Sequence, residues 1–125
     1  MLREFVTCLN CIDGRVQLPV INWIMKNYEV KYIDTITAPG MDGILADNSD
    51  IGDILEKINL SRSVHFTDHI FIVGHHNCLA NPVEDEIHKK QILKAVKRIK
   101  KFNSSCNVIG LWVDNNFDVQ QTYKK

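Results

Sequence analysis

The sequence has no excess of either charge and no long apolar run, and each absence removes a class of function. Fifteen Lys and Arg stand against 15 Asp and Glu, a formal net charge of zero over 125 residues. A general nucleic-acid binder, or a protein held on anionic lipid, needs a basic field that this composition does not supply. No hydrophobic stretch approaches the roughly 18 residues of a membrane span. The first ten residues, MLREFVTCLN, carry an acid early and too short an apolar part for a secretory leader. There is no internal repeat, low-complexity tract or linker, and no Gly-x-Gly-x-x-Gly turn after the first apolar segment, so a dinucleotide site lacks its phosphate cradle. The expectation is a cytoplasmic protein with no nucleic-acid or membrane partner. It forms a single domain over residues 1–125, since about 100–200 residues per domain leaves no room for a second.

What is present is the composition of a folded globule, 45% hydrophobic and 24% charged. A domain of this size buries roughly two-thirds of its unfolded surface and needs no disulfide staples. Residues 4–10 (EFVTCLN) are β-branched and aromatic and read as a strand. After Pro19, the positions Ile21, Ile24, Met25 and Tyr28 recur at i, i+3, i+4 and i+7, the stripe of an amphipathic helix. Residues 30–37 (VKYIDTIT) read as a second strand stopped by Ala38-Pro39-Gly40, followed by a loop containing Met41-Asp42-Gly43. Asn48, Ser49 or Asp50 can then cap a helix that carries Ile51, Ile54, Leu55 and Ile58 on one face. Residues 69–74 (HIFIVG) are apolar enough for a strand covered on both sides.

Asn81-Pro82 opens a further helix with Ile92, Ala95, Val96 and Ile99 inward. Its acids, Glu84 to Glu86, lie in the first turn and its bases, Lys97 to Lys101, in the last, the order the helix dipole favours. Residues 107–114 (NVIGLWVD) complete the pattern as a fourth strand. Strands alternating with helices specify an α/β domain, three layers around a mainly parallel sheet, and the expected strand order is 2-1-3-4. In that order the chain reverses direction between strands 1 and 3, and ligands bind at the carboxyl ends of strands beside such a reversal.

Cys11 leaves the end of strand 1, and His75 and Cys78 leave the end of strand 3. Residues more than 60 positions apart are thereby delivered to one crevice. Two thiolates with one imidazole favour zinc, and three protein ligands leave a fourth tetrahedral position for water or substrate. Gly74 is expected to let the backbone turn tightly out of the strand. Cys8 and Cys106 sit among apolar or small residues and read as buried hydrophobes. His65, His69 and His88 read as surface or strand-end residues, and His76 either as a solvent-exposed or hydrogen-bonded histidine or as a proton relay, because imidazole titrates near neutrality. Trp23, Trp112 and Phe117 could line a subunit contact or pack in the core.

Cys11-Ile12-Asp13-Gly14-Arg15 and His75-His76-Asn77-Cys78 resemble the two signature motifs of the β-class carbonic anhydrases, Cys-x-Asp-Ser-Arg and His-x-x-Cys. The resemblance implies one Zn2+ on Cys11, His75 and Cys78, and a dyad of Asp13 and Arg15 beside it. It also implies reversible hydration of carbon dioxide to bicarbonate in a homodimer or larger assembly. Departures from the family pattern are Gly14 in place of serine, Leu79-Ala80 in place of a glycine pair, and Thr37-Ala38-Pro39-Gly40 in place of Arg-Asn-Ala-Gly; with the first strand read so near Met1, the family's N-terminal helical arm is expected to be absent. Asp13 has two roles open to it: orienting the attacking water while paired with Arg15, or closing the metal site as a fourth ligand. Two alternatives stand beside the enzyme. One is a non-catalytic zinc module, or a relative acting on another small linear substrate such as a sulfur analogue of carbon dioxide. The other is a thiol redox protein built on Cys8-x-x-Cys11, which strand alternation disfavours because it turns the two side chains apart.

Overall fold

The computed structural model describes residues 4–125; residues 1–3, the start of the segment weighed above as a secretory leader, lie outside the described residues. β1 (Phe5–Cys11) leads through a short 3-10 turn into α1 (Gln17–Tyr28), followed by β2 (Tyr32–Ala38), α2 (Met41–Ala46), α3 (Gly52–His65), β3 (His69–His75), α4 (Asp85–Phe102), β4 (Asn107–Val113) and β5 (Val119–Lys124). The sheet order is β2-β1-β3-β4-β5. The first four strands are parallel and β5 returns antiparallel to β4. The expected 2-1-3-4 order is present, with a fifth strand that the polar run VQQTYK had hidden.

Handedness distributes the helices. The crossover from β1 to β2 runs one way along the sheet, and those from β2 to β3 and from β3 to β4 run the other way. Right-handed connections therefore place α1 on one face and α2, α3 and α4 on the opposite face. One core joins Val16, Val20 and Ile24 to Val6, Cys8, Phe71 and Leu111. The other joins Met41, Leu45, Ile58, Ile92 and Ile99 to Leu9, Ile70, Ile72 and Val108.

Three local expectations are corrected. The segment read as a loop at Met41-Asp42-Gly43 is α2, entered through Gly40 at φ 66° and anchored by buried Met41 and Leu45. The inward line is Val16, in the turn before α1, with Val20 and Ile24 of α1 one helical turn apart, and Met25, about 100° round from Ile24, is exposed. Gly74 does not turn the chain but stays within β3. A Cβ there would lie 2.6 Å from Asp42 Oδ2 and 2.8 Å from Ile92 Cδ1, so its role is close approach. Asp50 supplies the turn before α3, accepting from the Gly52 amide at 2.8 Å.

Candidate metal centre

The two central strands separate before they end. The β1–β3 ladder runs from Thr7↔Ile70 only to Leu9↔Ile72, whereas β1 continues to Cys11 and β3 to His75. Beyond that rung the Ile12 amide turns to β2, donating to Ala38 O at 3.3 Å. The Cys11 amide, which alternation directs the other way, is taken by the side chain of Asn10 at 2.8 Å. Asn10 is buried and also donates to Val16 O at 3.2 Å. Gln17 Nε2 donates to Cys11 O at 2.7 Å and Asp13 O at 3.0 Å. These two amides fix the turn carrying Asp13 to Arg15. Sequence reasoning missed both, and an amide bonded to backbone leaves no periodic signal by which to find it.

Cys11, His75 and Cys78 meet in this opening at 4%, 3% and 3% exposure. Their donor atoms lie within 4.8 Å of one another, the one such group among the described residues. Sγ of Cys11 is 3.9 Å from Sγ of Cys78, far from a disulfide and close to the ~3.8 Å that two thiolates adopt around a tetrahedral ion with metal–sulfur bonds of about 2.3 Å. His75 Nδ1 donates to His76 O at 2.9 Å. That bond fixes the tautomer and leaves Nε2 a bare lone pair, and Nε2 is buried with no hydrogen-bond partner among the described residues. Burial lowers the His75 pKa, a shift that favours the neutral ring. A buried acceptor with nothing to accept, beside two sulfurs at ligand spacing, fits a thiophilic divalent cation. The Gly40 amide donates to Cys11 Sγ at 3.5 Å, as it would to a thiolate.

Asp13 and Arg15 lie at the rim. Arg15 Nε donates to both carboxylate oxygens at 3.1 Å, Nη2 to Oδ2 at 2.6 Å, and the Arg15 amide to Oδ1 at 2.9 Å. The Arg15 fork, more than any other cause, holds the Asp13 carboxyl down at about 2. Nη2 also reaches Asn77 O at 3.3 Å, tying the first motif to the loop of the second. Asp13 thus caps its turn and pairs with arginine at once.

The remaining candidates separate cleanly. Cys8 and Cys106 are buried in the core; burial pushes the Cys8 thiol up to about 12 and raises Cys106. A redox cysteine requires the opposite shift. His76 is half-exposed and bonded through Nδ1 to Asp85 at 2.8 Å. His65 pairs with Asp34 and His69 with Asp68 at element ends, as expected. His88 contradicts its surface assignment: it is fully buried on α4, in helical line with Ile92, Ala95 and Ile99, a spacing already visible in the sequence. Trp112 belongs to the core shared with α2, α3 and α4, Trp23 packs partly buried against the other core, beneath α1, and Phe117 is exposed.

Comparison with solved structures returns the same architecture. The isoform I β-carbonic anhydrase of Trichomonas vaginalis aligns with a TM-score of 0.64 at 18% identity, over 96% of this chain and 82% of its own. A carbonic anhydrase of Streptococcus mutans gives 0.72 at 12%, over 98% and 83%. One of two tetrameric β-carbonic anhydrases of Sordaria macrospora gives 0.71 at 13%, over 100% and 83%. No curated protein matches the sequence. A family model described as "Putative carbonic anhydrase" matches residues 1–123. With the β-carbonic anhydrase fold and a Cys-His-Cys cluster at the strand ends, the chain belongs to that carbonic anhydrase family.

Proposed function

We propose that this protein is a zinc-dependent lyase that interconverts carbon dioxide and bicarbonate. The observation that carries the reading is the convergence of two sulfurs with an orphaned, buried imidazole Nε2. Cys11, His75 and Cys78 would hold the ion. When bound, zinc supplies a Lewis acid that makes water nucleophilic toward carbon dioxide. The protein's contribution is orientation. Asp13, kept ionised and fork-held by Arg15, can only accept a hydrogen bond, so it aligns the attacking water with a lone pair toward the substrate. That grip also supports the orienting role over the ligand role, because swinging Asp13 inward would break its bonds to Arg15.

Oligomerisation belongs to the same proposal. Ile12, Leu18 and Leu79 are exposed apolar residues near the opening, and the Sordaria macrospora relatives are described as tetrameric. A reducing compartment such as the cytoplasm suits four free, buried thiols. Among the described residues, no helix is long and apolar enough to cross a membrane.

Two thiolates and a neutral imidazole cancel the ion's charge, so acidification of water is weaker than at a three-histidine site, and turnover should climb toward alkaline pH. The test is stopped-flow carbon dioxide hydration on protein of measured zinc content between pH 6.5 and 9.5. Full zinc with no rate above buffer would overturn catalysis in favour of a non-catalytic zinc protein or another small linear substrate. A rate that peaks in acid would overturn the charge argument.

A further inference from the structure

Behind the three donors lies a buried polar cluster that the reading above does not use. Asp42 of α2 is 2% exposed and His88 of α4 is 0% exposed. His88 Nδ1 donates to Asp42 Oδ2 at 2.6 Å. Oδ1 of the same carboxylate accepts from the Gly43 amide at 2.9 Å and from Asn81 Nδ2 at 3.0 Å. Asn81 donates again to Gln91 Oε1 at 2.7 Å. The far ring nitrogen of His88, Nε2, is buried without a partner among the described residues, and the His88 and Trp112 ring centroids are 5.7 Å apart. Such a pair is a poor route to stability, because well-packed apolar residues of equal volume often serve as well or better. What it adds is direction, which apolar contact lacks.

The cluster touches all three ligand-bearing segments. Toward Cys11 it acts through Gly40, whose amide donates to Cys11 Sγ; a Cβ on Gly40 would stand 2.9 Å from Asn81 Cβ. Toward His75 it acts through Gly74, where Asp42 Oδ2 occupies the space a Cβ would need. Toward Cys78 it acts through the turn closed by the Asn81 amide on Cys78 O at 3.3 Å. Two glycines are thus pressed against the cluster, Gly40 against Asn81 and Gly74 against Asp42.

We propose that Asp42, Asn81 and His88 form a positioning network that sets the three donor segments in their metal-competent arrangement before the ion arrives. The proposal rests on the assignment of Cys11, His75 and Cys78 as the metal site and adds residues to it. The three act through backbone and none is a ligand. A rotation of α2 on α4 would carry Gly40 off Cys11 and Asp42 off Gly74 together, so one hydrogen-bonded junction sets both distances.

The test is zinc affinity, by competition with a chromophoric chelator, together with the visible spectrum of the cobalt(II)-loaded protein. Asp42→Ala and Asn81→Ala should each weaken zinc about 10- to 100-fold, the range for residues that orient ligands, and shift the cobalt bands. Asp42→Asn, which keeps an acceptor for Gly43, should recover part of the affinity. Ile58→Val destabilises the core on α3 without touching the network and should change neither readout. Asn81→Ala keeps the test available if Asp42→Ala fails to fold. Zinc affinities within twofold of wild type and an unmoved spectrum, or an equal loss in Ile58→Val, would overturn the network alone. Wild-type protein that takes up no stoichiometric metal would overturn the site assignment and this inference with it.

Discussion

Asp13 shows how much a single side chain is asked to do. It accepts from the Arg15 amide, closing the turn after β1, and from the guanidinium, which holds its carboxyl at about 2. A depressed carboxylate adds stability that is complete above its ordinary 3.8 and is lost as pH falls toward 2, so Asp13 is fully charged across the neutral range. Asp13 therefore does not set any loss of activity between pH 6 and 8. Asp13→Asn should keep zinc and lower kcat/KM by about 10²–10⁴-fold, the usual worth of a positioned proton-handling group, and Arg15→Ala should follow it. Metal analysis beside stopped-flow rates checks this; survival of the rate in either variant removes the dyad from the mechanism. The meeting of Cys11, His75 and Cys78 was legible in the sequence because cysteine and histidine are uncommon residue types and the two segments that carry them leave the ends of neighbouring strands. Asn10 and Gln17, which build the turn, were not, since an amide serving backbone looks like any surface amide.

At the scale of elements, patterns of adequate length were legible and short ones were not. The strands 69–74 and 107–114 and the stripe of α4 lie where hydrophobic periodicity placed them. α2 has six residues and a glycine inside it, too little for a period. Tertiary contacts hold it: Met41 and Leu45 inside, and Arg98 from α4 donating to the carbonyls of Leu45, Asp47 and Ser49. β5 was hidden for another reason: an edge strand exposed along most of its length has no apolar alternation, and only its pairing with β4 defines it. Glycine at the element scale gives a contrast to test. Gly74→Ala presses a methyl on Asp42 and Ile92 and should cost about 1–3 kcal/mol, whereas Gly14→Ala meets nothing within 4 Å and should stay within about 0.5 kcal/mol. Urea unfolding of both decides it, and equal midpoints would contradict the packing argument.

For the whole molecule, the thiols make stability a function of alkalinity. Burial raises Cys8 from 9.0 to about 12 and also raises Cys78 and Cys106. A raised folded pKa contributes stability that is fully present below the unfolded value near 9 and disappears as pH climbs through the folded value. Metal-free protein should hold its urea midpoint from pH 7 to 9 and lose it progressively toward 12. Cys8→Ala should start lower, from the cavity, but decline less steeply. A midpoint that is flat to pH 11 in the wild type would contradict the burial of these thiols.

The early end of the β1–β3 ladder at Leu9↔Ile72 has a further consequence. Past that rung the middle of the sheet is a zipper left undone, with no further ladder pairing between β1 and β3. A cation gripped from both sides would act as the missing fastener. Amide hydrogen exchange at residues 10–12 and 74–78 should therefore slow sharply on adding zinc, while the helix interiors of α1 and α4 hardly respond. Uniform slowing across the chain would instead mean that the ion tightens the molecule everywhere, and the gap would hold no special place in it.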